Sequence, residues 1–280
     1  MIEVLQAGFY TTIQDHGRWG FRKWGVPVSG PMDRAAADLA NQLVHNSAEE
    51  AVIEISLQGP ELRFEETLYF ALTGGEPEAF LDSTPLSVNT AYKAEAGQVL
   101  KVGRCTRGVR AYLAIQGGLQ TEEVLGSRSY YSPISSYDRL QKGMTLEVSP
   151  SKGFEPRIWA VKQKPVSFGK PLEVFPGPEF ELFPQEIQST LFDRSFHIAK
   201  ENNRMAYQLE ELLPAYDLPM LTSVTLPGTV QLTASGRLII LMRDAQTTGG
   251  YPRVLQLTEE SINQLAQRST GHSVQFLALE

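Results

Sequence analysis

Short apolar runs that stop at glycine recur along the chain and constrain its fold more than any other feature. Leu68-Tyr69-Phe70-Ala71-Leu72 runs into Gly74-Gly75, and Ala111-Tyr112-Leu113-Ala114-Ile115 runs into Gly117-Gly118. Leu238-Ile239-Ile240-Leu241-Met242 is a third apolar run of the same length. Runs of this length, rich in β-branched and aromatic residues, read as buried strands rather than helices. Ile2-Glu3-Val4-Leu5, Val99-Leu100-Lys101-Val102, Leu172-Glu173-Val174-Phe175 and Val274-Gln275-Phe276-Leu277 extend the pattern. Strands at this spacing predict a mainly β chain built as barrels or sandwiches.

Helical periodicity is rare. It places one helix over 32–44, where Met32, Ala35, Ala36, Leu39, Ala40 and Leu43 share a face. Ser29 or Gly30 serves as its start, with Pro31 in the first turn. A second helix is expected over 178–191 and a third over 259–268, the last with Thr258 as N-cap. Periodicity fades between Pro150 and Pro171, where only Ile158-Trp159-Ala160-Val161 can form a docking strand. The two sides of this boundary echo each other. Leu172 to Gly177 resembles Ile2 to Gly8, Asn203-Arg204-Met205 follows as Gly17-Arg18-Trp19 does, and Gln246 to Gly250 falls late, like Ile115 to Gly118. Three echoes in one order predict a duplicated β-barrel. The expected division is a first domain over 1–150, a linker over 151–171 and a second domain over 172–280.

Composition narrows the function. With 25 Lys+Arg against 32 Asp+Glu the net charge is -7, and the basic residues form no stripe, so nucleic acid is not expected as a partner. The single cysteine, Cys105, rules out an internal disulfide framework and a multi-cysteine zinc site. Arg104 and Arg107 can lower its pKa, but no histidine stands near it. The start Met1-Ile2-Glu3-Val4 has neither a basic start nor an apolar run, and no stretch is long enough to span a membrane, so the expected location is cytoplasmic. The four histidines lack ligand spacing, and no metal site is expected. There is no Walker A pattern and no dinucleotide fingerprint.

Three segments carry concentrated polar chemistry. Residues 11–20 contain Asp15, His16 and Arg18 between glycines; Arg18 can pair with Asp15 or grip an anion through its planar fork. Residues 25–33 lead into the first helix, whose free N–H groups make an anion site, while Asp33 suits the helix dipole. The third, Asp244-Ala245-Gln246-Thr247-Thr248-Gly249-Gly250-Tyr251-Pro252-Arg253, sets amide and hydroxyl groups beside two glycines directly after a buried strand. Such a loop can meet a urea-like or lactam amide edge with paired hydrogen bonds. Asn41, Glu54, Arg204 and the turn Leu125-Gly126-Ser127-Arg128-Ser129, another candidate anion holder, complete the set.

Taken together, Asp15-x-Gly17-Arg18, Gly25-Val26-Pro27-x-Ser29-Gly30-Pro31-Met32-Asp33, Ala40-Asn41, Glu54, Gly74-Gly75, the 125–129 turn, Arg204-Met205 and Asp244-x-Gln246-Thr247-Thr248-Gly249-Gly250-Tyr251-Pro252 resemble the biotin-dependent carboxyltransferase family. That family includes allophanate hydrolase subunit 2, KipA and the C-type subunit of 5-oxoprolinase, and the likeness runs from Val4 to Phe276. Two departures are Ala206, where glycine is common, and Gln231-Leu232-Thr233-Ala234, which replaces a more usual Val-Pro-Pro.

The resemblance implies two tandem cyclophilin-like β-barrel domains. It also implies a KipI-like partner, the B-type subunit of 5-oxoprolinase, together with a third subunit of the A type that completes hydrolysis, and ATP with Mg at the level of the complex. On this basis Asp15, Arg18 and Asp244 are expected to be catalytic. Arg18 would hold the substrate anion, Asp15 would orient it, and Asp244 would act as acid–base group or metal contact. Ser29, Asp33, Asn41, Arg204, Gln246, Thr247, Thr248, Gly249, Gly250 and Tyr251 are expected to bind substrate. The implied activity is ATP-dependent opening of 5-oxoproline to glutamate. The alternatives are a carboxyltransferase acting on urea-like amides, with biotin carried on another protein, or a non-enzymatic antagonist of a kinase inhibitor.

Overall fold

A computed structural model describes residues 1–149, 159–162 and 167–279. The chain is mainly β, with three α-helices among the described residues. It divides into two compact units, Met1–Arg18 with Ser29–Val166, and Trp19–Val28 with Ser167–Glu280. The segment Trp19–Val28, expected in the first domain, therefore belongs to the second unit; there the Arg22 guanidinium is bound by the carbonyls of Thr225 and Thr247. Of the expected linker, residues 151–158 and 163–166 lie outside the described part. The docking strand amounts to one bridge, Ala160 to Thr90, flanked by Ala91 N–H to Trp159 O and Val161 N–H to Asn89 O.

In the first unit β1 (Ile2–Gln6), β2 (Tyr10–Gln14), β3 (Val52–Ser56), β4 (Glu61–Phe64), β5 (Leu68–Leu81), β6 (Thr84–Leu86), β7 (Thr90–Ala94), β8 (Val99–Ile115) and β9 (Thr145–Leu146) form a nine-stranded half-barrel. β8 is its spine, antiparallel to β3, β4 and β5. Two expectations are corrected here. Gly74-Gly75 does not end a strand, and 99–102 and 111–115 are not separate strands; both lie inside long, bent strands. The reason is space. The register of β5 on β8 shifts just after Gly74, and a Cβ on Gly74 would stand 2.7 Å from Arg110 O. Glycine lets the two backbones close here without breaking the ladder.

Alternation explains why 111–115 reads as one apolar run. Ala111, Leu113 and Ile115 enter the barrel core with Phe70, Leu72, Ile53 and Ile55. Tyr112 and Ala114 point to the other face, with Ala71 and Val52, under helix α1 (Arg34–Leu43). A strand covered on both faces is apolar at every position. The small residues Ala36, Ala37 and Ala40 bring α1 close to that face. The outer edge of β2 is covered by a loop, through Tyr130 N–H to Ile13 O and Leu140 N–H to Thr11 O.

The second unit holds β10 (Leu172–Pro176), β11 (Phe196–Asn202), β12 (Ala206–Leu212), β13 (Ser223–Val224), β14 (Thr229–Leu232), β15 (Arg237–Leu241), β16 (Thr248–Gly249), β17 (Arg253–Leu257), β18 (Ser273–Val274) and β19 (Phe276–Ala278). Its main sheet runs β18-β11-β12-β15-β14-β17-β10-β19. The two edge strands are consecutive in sequence, separated only by Gln275. The expected strand over 274–277 is therefore broken, and the break carries the chain from one sheet edge to the other, so the barrel nearly closes. The helix expected over 178–191 is a 3-10 turn, Phe180–Leu182, followed by α2 (Gln185–Asp193), because Pro184 separates them. Helix α3 (Glu259–Ala266) begins at Thr258, whose hydroxyl accepts from the Ser261 N–H. No described helix is long and apolar enough to cross a membrane.

Candidate functional site

The first polar segment closes on itself. After β2, Asp15 turns its carboxylate toward the 125–129 turn. Oδ1 accepts from Gly17 N–H (2.8 Å), Ser127 Oγ (2.5 Å) and Ser129 Oγ (2.7 Å), and Oδ2 accepts from Arg128 N–H (2.5 Å). The Gly/Ser/Arg turn thus holds an anion, and that anion is the Asp15 side chain. Arg18 is fully buried and donates to Ser129 O and Ser29 Oγ. Ser29 takes a left-handed backbone (φ 63°), and Gly30 follows at φ 94° with Asp15 O only 2.9 Å from where a Cβ would stand. His16 Nε2 lies 3.0 Å from Asp38 Oδ1, both groups about a third exposed.

The start of α1 is also filled from within. Asp33, not Ser29 or Gly30, is the N-cap, and it accepts from Ala36 N–H at 3.1 Å. Pro31 therefore precedes the helix, and the order follows from capping, since an Asp carboxylate satisfies an orphan helix N–H that glycine leaves bare. Glu54 on β3 accepts from Met32 N–H (2.7 Å) and from Tyr112 Oη (2.9 Å), and Tyr112 Oη accepts from Asp33 N–H (2.8 Å). Burial, then the charges of Glu54 and Asp33, push the Tyr112 phenol far above its ordinary value, so it stays a protonated donor. Two carboxylates of the protein stand where an anion was expected at this helix. Asn41 is buried and braces the end of α1, donating to Glu50 O (2.8 Å) and accepting from Asn46 Nδ2 (3.1 Å).

The second unit carries the third motif. Arg204 grips Asp244 with both ends of its fork, at 2.7 Å and 3.1 Å, and both residues are buried. Asp244 N–H returns to Arg204 O at 2.9 Å. Beyond Asp244 the loop alternates: Gln246 is exposed, Thr247 buried, Thr248 exposed and Gly249 buried. Period-two alternation is that of a strand, and β16 here pairs antiparallel with β13. Thr225 fixes the start of the loop through its Oγ1 to Gln246 O (2.6 Å) and its N–H to Thr247 O (3.1 Å). Gln231 Nε2 reaches Tyr251 O at 3.3 Å.

The two glycines differ. A Cβ on Gly249 would lie 2.5 Å from Gln231 Nε2, whereas on Gly250 it would meet nothing within 4 Å, and Gly250 is not in the left-handed region. Packing asks for the first glycine but not for the second. Gly250 lies beside the exposed Tyr251 ring, with the Gln246 and Thr248 side chains exposed on the same loop.

Several residues that build this site receive no role from sequence, Arg253 among them although it ends the third motif. Arg253 donates to Val224 O (2.7 Å) and makes a two-pronged pair with Glu179 (3.0 and 2.7 Å), which holds the Glu179 carboxyl below its usual range. Arg22 and Thr225 likewise give no sequence signal, because each acts on residues outside its own segment, and Gln231 is marked only as a departure from the family pattern. Cys105 lies inside β8, and its thiol is not activated: burial raises its pKa to about 11, against a smaller opposing pull from Arg110.

A chain of two β-barrel units with these motif loops belongs to the carboxyltransferase domain family, subdomains A and B, which matches residues 24–278. It is 36% identical to the C-type subunit of the 5-oxoprolinase of Escherichia coli (strain K12), over 99% of this chain and 91% of that one. It superposes on the crystal structure of TTHA0988 with TM-score 0.90 and 28% identity, covering 99% of this chain and 55% of that one. It superposes equally on the K. lactis urea amidolyase, with TM-score 0.90 and 27% identity over 100% of this chain and 19% of that one. The chain thus spans about half the length of TTHA0988 and a fifth of the urea amidolyase.

Proposed function

We propose that this chain is the C-type subunit of an ATP-dependent 5-oxoprolinase, which opens 5-oxoproline to glutamate together with a KipI-like subunit of the B type and a third subunit of the A type. The observation that carries the reading is the near end-to-end likeness to the C-type subunit of the 5-oxoprolinase of Escherichia coli. The 244–253 loop gives it a physical basis. A lactam presents an N–H donor and a C=O acceptor side by side. The exposed Gln246 amide supplies both complements, Thr248 adds a hydroxyl, and Gly250 leaves room for close approach.

In this reading Gln246, Thr248, Gly250 and Tyr251 touch the ligand. Thr247 and Gly249 anchor the loop from inside, and Asp244 with Arg204 holds its base. Asp15, Arg18, Ser29, Asp33 and Asn41 shape the first unit's loops rather than contact substrate. A lactam carbonyl is a poor electrophile, and phosphorylating its oxygen creates a leaving group. The helix start and the 125–129 turn do not fit ATP phosphates, because they already hold the carboxylates of Asp33, Glu54 and Asp15. ATP with Mg is therefore assigned to the complex and not to these loops.

The test is 5-oxoproline-dependent ATP consumption by the assembled subunits. Gln246→Ala should lower it by about ten- to a hundredfold, the order for losing paired hydrogen bonds in a site. No 5-oxoproline-dependent turnover in the intact complex would remove the proposal. The likeness to urea amidolyase favours a second reading, carboxyl transfer to a urea-like amide from biotin carried on another protein. Transfer from carboxybiotin in place of lactam-dependent ATP use would establish it.

A further inference from the structure

The 244–253 loop is held from outside as well as by its own bonds. Arg22 opens a short 3-10 turn, Arg22–Trp24, within the segment Trp19–Val28 that belongs to the second unit. Its Nη2 donates to Thr225 O and to Thr247 O, the latter at 3.5 Å. These carbonyls lie one residue after β13 and one residue before β16, the two short strands that pair here. Thr247 O also accepts from the Thr225 N–H (3.1 Å), and Gln246 O accepts from Thr225 Oγ1 (2.6 Å). The peptide planes on both sides of Thr247 are thus fixed. The first plane follows Gln246 and the second precedes Thr248, so the clamp sets the directions in which those two side chains leave the backbone.

The choice of residue fits this task. Both partners are neutral carbonyls, and burial lowers the Arg22 pKa. A guanidinium desolvated against carbonyls adds little to stability, but its planar fork of donors gives defined geometry.

We infer that Arg22 is a positioning residue for the ligand edge of the 244–253 loop, aiming Gln246 and Thr248 by holding the Thr225 and Thr247 carbonyls. Its contribution is to ligand affinity and not to the chemical step. The inference rests on the reading that this loop takes the lactam.

The test uses Arg22→Met, which keeps an unbranched apolar stem without the donors, and Arg22→Lys, which keeps a charge and one donor. Both are placed in the full chain assembled with its other subunits, beside Gln246→Ala. Two quantities are read: hydrogen exchange of the Thr225 amide, and KM and kcat for 5-oxoproline. Arg22→Met should speed Thr225 exchange and raise KM by about tenfold, the order of one charge-assisted hydrogen bond, with kcat within about twofold. Arg22→Lys should recover part of both. Unchanged Thr225 exchange in Arg22→Met and Arg22→Lys overturns the inference. So does faster exchange with an unmoved KM while Gln246→Ala is defective, and so does a fall in kcat at constant KM. If Gln246→Ala turns over 5-oxoproline normally, the lactam reading fails by itself, and Thr225 exchange alone then decides whether Arg22 holds this edge.

Discussion

Asp15→Asn is nearly isosteric and changes only what the side chain can accept. In the native turn four donors converge on the carboxylate, from Gly17, Ser127, Arg128 and Ser129. An asparagine that keeps its oxygen at the Oδ1 position turns its amide NH2 toward the Arg128 N–H, donor against donor at a hydrogen-bond distance. Leaving that N–H without an acceptor costs about 1–3 kcal/mol, and changing the other three bonds from charged to neutral costs about 1 kcal/mol each before relaxation. Partial relaxation brings the expected loss to about 3 kcal/mol, against about 1 kcal/mol for Ser127→Ala, where the carboxylate keeps its remaining donors. For a unit of this size that is a fall in melting temperature of about 6–12 °C. The assay is differential scanning calorimetry, following the transition of the first unit, since a chain of two units need not melt in one step. An Asp15→Asn variant within about 0.5 kcal/mol of wild type would refute the assignment of Asp15 as the centre of this turn. If that variant also lost activity, Asp15 would belong with the catalytic groups instead.

Gly74→Ala should destabilise the first unit by about 2–4 kcal/mol, because it combines a left-handed backbone with a new Cβ against a carbonyl that cannot move aside; a urea midpoint equal to wild type would count against the bent-strand account. His272 supplies a pH test. Its Nδ1 accepts from Ser269 N–H at 3.0 Å, and burial, then Arg268, lowers its pKa below 6.5. A histidine kept neutral contributes stability that is full above its unfolded pKa, near 6.5, and is lost as pH falls from there through its lowered folded value. Urea midpoints for the second unit should therefore fall on going from pH 8 to pH 5, and His272→Gln should flatten that slope; an identical slope in the variant would show that other groups control it.

Much of the fold was legible because burial imposes a periodicity that sequence records. The helix of Ala36, Ala40 and Leu43, the Thr258 cap and the strand at Leu238 all follow from side-chain spacing. The helix over 178–191 and the start of α1 are misread locally, at Pro184 and Asp33, but the strand errors depend on pairing partners. Gly74-Gly75 and Gly117-Gly118 look alike in sequence, yet the first lies inside a strand because of what stands opposite it, Arg110 on β8. The closure of the second barrel through Gln275 is equally a property of pairing partners. At the site, sequence marked the 244–253 loop but not what holds it. Arg22, Thr225 and Glu179 act on partners 203, 21 and 74 positions away, and no local pattern marks a residue whose partner lies outside its own segment.

Polar density in a motif has two structural meanings, and the three segments separate them. Around Asp15 and at the start of α1, donors and acceptors consume one another in buried networks, so polarity there encodes loop shape. In the 244–253 loop, alternation splits the polar groups: Thr247 and the Asp244–Arg204 pair face inward, while Gln246 and Thr248 face out. The same accounting bears on the carboxylate of a lactam acid. Arg204 already spends Nε and Nη2 on Asp244, and uncoupling that buried, bidentate pair would cost about 3–5 kcal/mol. Arg18 is fully buried behind Ser29 and Ser129. Both arginines thus help to hold the fold, while the groups exposed on the 244–253 loop at Gln246 and Thr248 are neutral hydrogen-bonding groups. Under the proposed lactam reading, such a surface would meet the amide edge of a small substrate. The charge that completes recognition then has to come from a group that is not already spent on holding the fold.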